Sequence, residues 1–282
     1  MRNERLMPYL LIAPSILFLA VFFAYPLVET ITLAFRHHGG WSLHNFGTMA
    51  QDLNFRDSLV NTFGLVLVVV PLQLVLALAM ALMLRPLRRG RDLVLWIWSI
   101  PLGISDLAAG LVWLSILTDR GYFNTILFHL GLIAHPQSWL TYETPGALFA
   151  AILITELWRA TAIVFLILVA GLQLLPKEYA EAAEIFGASP WQRLTRITIP
   201  LLKPSIQSAL ILRTVLAFEM FATVLSLGGR NFPVLMSEAF NWQYNEQNAG
   251  VAACFAILVM LASLGATLFY LRAIRVRPEQ LP

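Results

Sequence analysis

Residues 146–204 join an apolar run, GALFAAILITELWRATAIVFLILVAGL (146–172), to a polar loop, QLLPKEYAEAAEIFGASPWQRLTRITIPLLKP (173–204). A membrane-spanning helix needs about 20 consecutive, mostly apolar residues, and the run exceeds that length. The loop mixes charged residues with proline and glycine, which is typical of short helices separated by a turn. This part of the chain therefore predicts a membrane span that leads directly into a structured loop.

The composition of the whole chain agrees with a membrane protein. Of 282 residues, 59% are hydrophobic and 12% are charged, whereas soluble domains have roughly 45–50% apolar and about 25% charged residues. The formal net charge is +3, and the excess cations fall in short loops. Because no stripe of interleaved basic and aromatic residues is present, we expect the lipid bilayer, and not a nucleic acid, to be the partner of this surface.

Six segments have the length and composition of a span. They are 8–35, 59–84, 93–117, 146–172, 201–227 and 249–271. The sequence therefore predicts an all-α, polytopic membrane protein with six transmembrane helices, in which 1–282 form a single membrane domain. The third span contains Pro101 and Gly103, so we expect it to be kinked or broken there.

The distribution of Lys and Arg predicts the orientation of the spans. Thirteen cations lie on one side: Arg2, Arg5, Arg85, Arg88, Arg89, Arg91, Lys177, Arg193, Arg196, Lys203, Arg272, Arg275 and Arg277. Four lie on the other: Arg36, Arg56, Arg120 and Arg230. By the positive-inside rule the first side is cytoplasmic, which places both termini inside.

The first span could also be a signal peptide, since Arg2 and Arg5 precede an apolar run. The run continues through Tyr25-Pro26 to Phe35, however, and no A-x-A cleavage pattern ends it. We expect a retained first span. The two longer external loops, 37–57 and 119–145, contain aromatic residues that either form an interfacial belt or receive a docking partner.

The loop that follows the fourth span has the local chemistry of two short helices. Pro176 suits the first position of a helix. Gly187 can end that helix in the left-handed conformation. Ser189 can cap a second helix with Pro190 at its first position, and this helix would extend to Pro200.

The first of these helices has an apolar face with two small residues. The face is formed by Tyr179, Ala182, Ala183 and Phe186. A short helix of this kind, with Glu181 beside the alanines, suits a cleft on another protein. The alternative is a helix that lies on the membrane surface with Arg193 and Arg196 near anionic headgroups.

The spacing of this loop resembles a known signature. Glu181-Ala182-Ala183, three residues, Gly187, nine residues and Ile197-Thr198-Ile199-Pro200 are similar to the EAA motif of ABC importer permeases. Ile199 replaces the usual leucine. Phe186 replaces the aspartate that is frequent in sugar importers.

Other parts of the chain resemble the permeases of the maltose, trehalose and glycerol-phosphate type, on the first-permease side of the pair. The matching residues are Tyr9 to Pro14, Tyr25-Pro26, Asn61-Thr62, Pro101, Trp113 and Gly121 to Asn124. Leu227 to Arg230 depart from a glycine-rich stretch that is common in that branch.

The resemblance implies a type I ABC importer permease that forms half of the translocation pathway for a sugar, with a disaccharide such as trehalose or maltose as the closest fit. Its implied partners are a second homologous permease, two ATPase subunits and an external substrate-binding protein in the bacterial inner membrane. The residues implied in ATPase coupling, within a cytoplasmic coupling loop at 175–200, are Glu181, Ala182, Ala183, Phe186, Gly187 and Pro200.

The chain contains no G-x-x-x-x-G-K-[ST] motif that would cradle phosphates. We therefore expect no catalytic residues and no cofactor in this chain, with ATP and Mg²⁺ bound by the partner ATPase. The single cysteine, Cys254, lies in an apolar run and is expected to be a small buried residue, not a metal ligand.

Ionisable residues inside spans cost about 2.5–3.5 kcal/mol on insertion scales and usually face cavities or partners. Glu219, in the middle of the fifth predicted span between Phe218 and Phe221, is the leading candidate for sugar contact. Further candidates for the substrate pathway are Phe218 and Phe221, whose rings could pack on a sugar, together with Asp106, Glu156, Arg159 and Arg213. Glu156 and Arg159 are three residues apart and are expected to pair. Glu219 could instead pair with an arginine, and Asp106 could cap a broken helix.

Three other functions remain open on the sequence. An ABC permease for glycerol phosphate or polyamine would carry a related loop. An ion-coupled secondary transporter would follow a proton or sodium gradient instead of ATP. A channel-forming or structural subunit would leave the loop without a role.

Overall fold

The structure is a computed structural model that describes residues 7–87 and 89–275. Arg2, Arg5, Arg88 and Arg277, which contributed to the predicted orientation, lie outside the described residues. The α-helices are α1 (Met7–Leu19), α2 (Tyr25–Phe35), α3 (His44–Gln51), α4 (Phe55–Leu84), α5 (Arg91–Ser99), α6 (Asp106–Leu117), α7 (Tyr122–His129), α8 (Pro145–Leu174), α9 (Lys177–Ile185), α10 (Pro190–Arg193), α11 (Ile199–Leu201), α12 (Lys203–Phe218), α13 (Ala222–Gly228), α14 (Leu235–Tyr244) and α15 (Ala249–Ala273).

Shorter elements connect some of these helices. The π-helical segments are Ala20–Ala24 and Leu194–Thr198, and the 3₁₀ segments are Ile100–Gly103 and Gly229–Asn231. Two short strands, β1 (Arg36–His37) and β2 (Gly40–Trp41), form an antiparallel hairpin after α2. The all-α fold predicted from the sequence is confirmed, with this hairpin as the strand structure of the described residues.

Four helical segments of the described chain are long and apolar enough to cross a membrane: Leu11–Phe35, Phe55–Leu84, Pro145–Leu174 and Ala249–Ala273. Two further candidates are bent pairs of helices. Arg91–Gly103 and Asp106–His129 meet at 95°, and Pro190–Leu201 and Lys203–Phe218 meet at 66°. The predicted total of six is reached when each bent pair counts as one span. The expected break near Pro101 and Gly103 is present.

The fifth predicted span differs most from the structure. A span over 201–227 was expected, but α12 begins at Lys203, ends at Phe218, and is followed by α13 only from Ala222. The interruption coincides with Glu219, the one ionisable residue in the second half of that segment. Ending the helix there leaves its carboxylate beside polar groups instead of in an apolar helix face.

The contacts divide the chain into two compact units. The first contains the described residues up to Arg56 together with Leu235–Met260. In it, the Asn45 amide donates to the carbonyls of Leu33, Ala34 and Arg36 at 3.1–3.2 Å and so closes the end of α2. Cys254 is fully buried, and its thiol lies 3.3 Å from the Gly250 carbonyl, which confirms its predicted character.

The second unit contains Asp57–Val234 and the described residues from Leu261. Its core is built from α4, α8 and α12. The buried side chains that form it include Ala77, Ala81, Leu84, Phe165, Leu168, Leu202 and Ala209. Gly171 of α8 lets Ser205 approach so closely that an added Cβ would lie 2.1 Å from the Ser205 Oγ. That the two units form one membrane domain remains a prediction.

Candidate functional site

The fourth span, α8, carries two charged side chains near its middle, Glu156 and Arg159. Glu156 is completely buried and the side chain of Arg159 is 15% exposed. An apolar helix tolerates such groups only when they have partners, because an unpaired charge in a dry interior costs several kcal/mol. Their partners come from α4, α6, α12 and α13, which all belong to the second unit.

Glu156 is the centre of this network. Its Oε2 lies 2.8 Å from the Arg213 Nη2 of α12, and its Oε1 accepts a hydrogen bond of 2.8 Å from the Thr223 hydroxyl of α13. Gln73 of α4 accepts from the Arg213 Nε, and its amide donates to the Glu156 backbone carbonyl at 2.8 Å. Arg213 of α12 thus reaches two other helices, α8 and α4.

Arg159 pairs mainly with Asp106. Its Nη1 lies 2.8 Å from the Asp106 Oδ1, whereas its Nη2 is 3.6 Å from the Glu156 Oε2. The pairing predicted from the three-residue spacing is present, but it is the weaker of the two contacts. The reason is geometric, since both groups of α8 find closer partners on neighbouring helices.

Asp106 does not cap the helix that it begins. Ser105 occupies the N-cap of α6, and its Oγ accepts from the Ala108 backbone N–H at 3.2 Å. The capping role considered for Asp106 is therefore taken by its neighbour. The half-exposed Asp106 carboxylate is left for Arg159.

These residues border a pocket of about 180 Å³ in the second unit. It is lined by Leu102, Asp106, Arg159, Ala160, Ile163, Arg213, Leu216 and Glu219. The pocket lies beside the two places where helices are interrupted, before α6 and after α12. Pockets at broken helices offer free backbone groups and polar side chains in an otherwise apolar layer, as solute sites in membrane transporters do.

The charges around the pocket do not cancel. Asp106 and Glu156 balance Arg159 and Arg213, and the exposed Glu219 adds a negative charge. Among the described residues Glu219 makes no ion pair within 4.0 Å, so the proposed alternative of a pair with Arg159 or Arg213 is absent from this structure. Its carboxylate is available to accept hydrogen bonds.

The two aromatic neighbours of Glu219 have different surroundings. Phe218 is buried, with its ring 5.2 Å from that of Phe63, and it does not line the pocket. Phe221 is half-buried in the break. The Phe218 ring packs into the core of this chain, and the place of both rings in the substrate pathway remains a prediction.

The sequence did not predict three polar residues of the site, Ser105, Thr223 and Gln73. Thr223 and Ser105 fall inside predicted spans where a hydroxyl carries no strong signal. Gln73 lies within the second predicted span and is only mildly polar. A serine two residues after Gly103 is a recognisable start of a new helix, and this signal was available for Ser105.

The polar loop has the predicted helix–glycine–helix form. Gly187 adopts φ 76° after α9, and Ser189 caps α10 through a capping box with Gln192, with Pro190 at the first position. Pro176 is the N-cap of α9 and not its first residue. From Pro190 the chain remains helical through a π-helical segment to Leu201, so Pro200 lies within this arm.

The loop presents an apolar surface to its surroundings. Phe186 is 90% exposed and Ile185 84% exposed, and Ala182 is also exposed. The Arg193 guanidinium lies 2.7 Å from the Glu184 carboxylate and joins the two helices across Gly187. An exposed, apolar helix end of this kind is suited to insertion into a cleft.

In the described residues no group of three or more His, Cys, Asp or Glu side chains is arranged to hold a metal ion. Interrupted apolar helices, a polar pocket beside the interruptions and an exposed helical loop are together the attributes of a membrane transport permease. Residues 73–275 match the family described as "Binding-protein-dependent transport system inner membrane component". The chain belongs to this family of multi-pass inner-membrane proteins.

Named relatives are similar over nearly their whole length. The "Trehalose/maltose transport system permease protein MalF" of Thermococcus litoralis is 33% identical over 98% of this chain and 96% of its own. The "Sulfoquinovosyl glycerol transport system permease protein SmoG" of Agrobacterium fabrum is 30% identical over 98% and 92%. The "Trehalose transport system permease protein SugA" of Mycobacterium tuberculosis is 29% identical over 91% and 84%.

Solved structures share the fold. A chain of a bacterial ABC transporter involved in the import of the acidic polysaccharide alginate matches with a TM-score of 0.83 and 22% identity, covering 97% of this chain and 96% of its own. A chain of a bacterial alginate ABC transporter in complex with an alginate pentasaccharide-bound periplasmic protein matches with a TM-score of 0.81 and 21% identity, covering 97% of this chain and 95% of its own. The type I importer permease fold expected from the sequence is confirmed.

Proposed function

We propose that this chain is one membrane-spanning subunit of an ATP-binding-cassette importer for a sugar, and that the sugar is a disaccharide such as trehalose or maltose. The observation that carries the proposal is the continuity between the exposed loop and the pocket. The helix–glycine–helix loop leads through Pro190–Leu201 into α12, and α12 ends at Phe218, directly before Glu219 on the pocket. A movement of the loop would therefore be transmitted through α12 to the residues that border the pocket.

The sugar assignment is supported by two independent features. The similar permeases named for trehalose, maltose and sulfoquinovosyl glycerol all handle solutes that carry a glycosyl group. The pocket itself combines carboxylates and guanidinium groups with aliphatic side chains. Carboxylates accept hydrogen bonds from sugar hydroxyls, and guanidinium groups donate to them.

The proposed complex contains four kinds of component besides this chain. They are a second, homologous permease, two ATPase subunits, an external substrate-binding protein and the sugar. ATP and Mg²⁺ bind the ATPase subunits, where hydrolysis occurs, and this chain is not itself an enzyme. Both of its termini and its coupling loop face the cytoplasm, in keeping with the Lys and Arg distribution.

In the proposed mechanism Glu181, Ala182, Ala183 and Phe186 of α9 insert into a groove of the ATPase. Closure of the ATPase dimer on ATP moves the loop and with it α12. The pocket then changes its accessibility from one side of the membrane to the other, and Glu219 exchanges hydrogen bonds with the solute. The binding energy of ATP thus drives the change of state, because a ligand shifts an equilibrium only by its differential affinity for the two states.

The size of the pocket favours a pathway shared between two subunits. Its volume of about 180 Å³ lies below the ~300–1,000 Å³ that is usual for small-molecule sites. A disaccharide therefore requires additional walls and space, and the second permease would provide them. Residues of that partner would then contribute to specificity together with Glu219 and Asp106.

The source of energy tests the class of transporter. The chain is reconstituted with its partner subunits and binding protein in liposomes, and the uptake of radiolabelled trehalose, maltose, glycerol phosphate and spermidine is measured. We expect uptake of a disaccharide only when ATP and Mg²⁺ are supplied to the ATPase side. Uptake that follows an imposed proton or sodium gradient without ATP would show an ion-coupled transporter instead, and preferred uptake of spermidine or glycerol phosphate would overturn the sugar assignment.

The role of the loop is tested at Gly187, with Gly90 as a matched control. Both glycines have positive φ, 76° and 74°, and an added Cβ meets nothing within 4 Å at either position. The strain of a Val substitution is therefore comparable, about 1–2 kcal/mol. We expect Gly187→Val and Glu181→Lys to abolish ATP-driven uptake while Gly90→Val retains it. Equal uptake by all three variants would contradict the coupling role.

A further inference from the structure

The fifth span is interrupted, and one buried carboxylate connects its two halves. The backbone hydrogen bonds of α12 finish at the Glu219 and Met220 N–H groups, and those of α13 resume with the Leu225 N–H and the Phe221 carbonyl. Across this gap the Glu156 carboxylate binds Arg213 of α12 with one oxygen and Thr223 of α13 with the other, both at 2.8 Å. Glu156 therefore bridges the break from the fourth span.

The bridge is fixed on every side. Glu156 is fully buried, and Arg213 and Thr223 are each 1% exposed. The Gln73 amide holds the Glu156 backbone carbonyl and also contacts Arg213. Hydrogen bonds to an ionised group in a dry interior are strong, and a buried charge that loses a partner is costly. Breaking either contact of the bridge would therefore leave a buried polar or charged group without its partner.

The second half of the fifth span is in turn tied to the helix after the other break. The Thr223 hydroxyl lies 3.4 Å from the Asp106 carbonyl at the start of α6. Further along, Gly110 of α6 faces Ser226 so closely that an added Cβ would lie 1.7 Å from the Ser226 Oγ. A displacement of α13 must therefore also displace α6 and the Asp106 carboxylate that lines the pocket.

We infer that Glu156 is a positioning residue that transmits the movement of α12 to α13 and α6 through its contacts with Arg213 and Thr223. Glu156 does not touch the solute, because it is enclosed and absent from the pocket wall. Its task is to make the two halves of the interrupted span move as one unit, so that both walls of the pocket change together. This inference rests on the proposed function, since it assigns the movement to transport.

Thr223→Val tests the bridge because valine keeps the shape and removes only the hydroxyl. Thr223→Ser, which retains the hydroxyl, serves as the conservative variant. Thr214→Val is the matched control, since Thr214 is equally buried but lies in α12 and bonds the Tyr270 hydroxyl at 3.2 Å instead of Glu156. In the reconstituted complex we expect Thr223→Val to lower sugar uptake about tenfold, the size expected when a buried carboxylate loses one donor.

Two further results separate transmission from a simple loss of folding. Thr223→Val should retain ATP hydrolysis that the binding protein stimulates, so that the ratio of sugar transported to ATP hydrolysed falls about tenfold. Thr223→Ser and Thr214→Val should keep that ratio near the parent value. Uptake and hydrolysis that fall in parallel in Thr223→Val, or a ratio that falls as much in Thr214→Val, would overturn the inference.

The movement itself can be followed without any solute. In a Cys254→Ala background, single cysteines replace Leu216 before the break and Ala222 after it, and their rates of reaction with a water-soluble maleimide are compared with and without ATP and vanadate. We expect both rates to change in the parent and only that at position 216 to change in Thr223→Val. A change at position 222 that persists in Thr223→Val overturns the bridge. Because no sugar is present, this result is independent of whether the solute assignment is correct.

Discussion

The first and fourth spans are both long apolar helices, yet they have different surroundings. In the apolar 18-residue stretch of Leu11–Phe35 no residue is buried, whereas 56% of the residues in the corresponding stretch of Pro145–Leu174 are. The first span presents Phe and Leu side chains outwards along its length. The fourth is enclosed by its own chain and carries Glu156 and Arg159 among its apolar residues. Both helices are apolar enough to span a membrane. Only the buried one is surrounded by side chains that can pair with charged groups in its middle.

The two spans differ in where a carboxylate finds partners for hydrogen bonds or ion pairs. Glu29 of the first span is exposed and lies near the end of the helix, where a carboxylate can reach the interface. Glu156 lies in the middle of its span and depends on Arg213 and Thr223. The first helix therefore contributes mainly an apolar surface, and the fourth serves as the support of the pocket.

The largest expected effect comes from replacing each of these carboxylates by leucine. Glu156→Leu leaves Arg213 buried without its closest anion, which costs about 3–5 kcal/mol. Glu29→Leu removes an exposed charge and should change stability by less than about 0.5 kcal/mol. The thermal unfolding of the purified, detergent-solubilised proteins measures both. Similar midpoints for the two variants would remove the distinction between the spans.

A smaller effect on stability is expected at two glycines, of which Gly110 is closely packed and Gly265 faces open space. Gly110→Ala places a methyl group against Ser226, and overpacking of this kind costs about 1–3 kcal/mol. Gly265→Ala in α15 meets nothing within 4 Å and should stabilise the helix by about 0.5–1 kcal/mol. Adding Ser226→Gly to Gly110→Ala should restore part of the lost stability. If Ser226→Gly restores no stability, the close approach of α6 and α13 is not the cause of the loss in Gly110→Ala.

The smallest effect concerns the hairpin that follows the first span. The His37 ring stacks on His44 with centroids 3.9 Å apart and meets His38 edge-on at 4.1 Å. Burial lowers the pKa of His37 from 6.5, and the neighbouring imidazoles of His44 and His38 lower that pKa further. Since the unfolded hairpin then binds protons first as the pH falls, its stability should decrease below about pH 6.5.

An NMR titration of the labelled His37 ring measures this shift. The midpoint should lie below that of a histidine in a reference peptide, and replacement of His44 by glutamine should bring it closer to the peptide value. A midpoint at or above the peptide value would show that the hairpin does not disfavour the protonated form.

The parts of the molecule that depend on local chemistry were predicted well. The turn at Gly187, the cap at Ser189 and Pro190, the break after Pro101 and the apolar spans each follow from a few adjacent residues. The capping and turn preferences act within one helical turn, so neighbours in sequence contain the necessary information.

The parts that depend on contacts between helices were predicted less well. Glu156 and Arg159 were matched to each other because they share a helix face, whereas their closest partners, Arg213 and Asp106, are distant in sequence. The end of α12 before Glu219 was missed because no proline or glycine lies at the break.

The most direct test of the account is the effect of Glu219 on transport by the complete complex. ATP-driven uptake of radiolabelled trehalose and maltose and the hydrolysis stimulated by the binding protein are measured for the parent, Glu219→Ala and Leu216→Ala, a substitution at an apolar wall residue of the same pocket. We predict that Glu219→Ala lowers uptake at least about tenfold, the size expected for the loss of a charged hydrogen bond to the sugar, while the complex still assembles and Leu216→Ala, which removes only an apolar contact, lowers uptake less. Uptake by Glu219→Ala at the parent rate would contradict it.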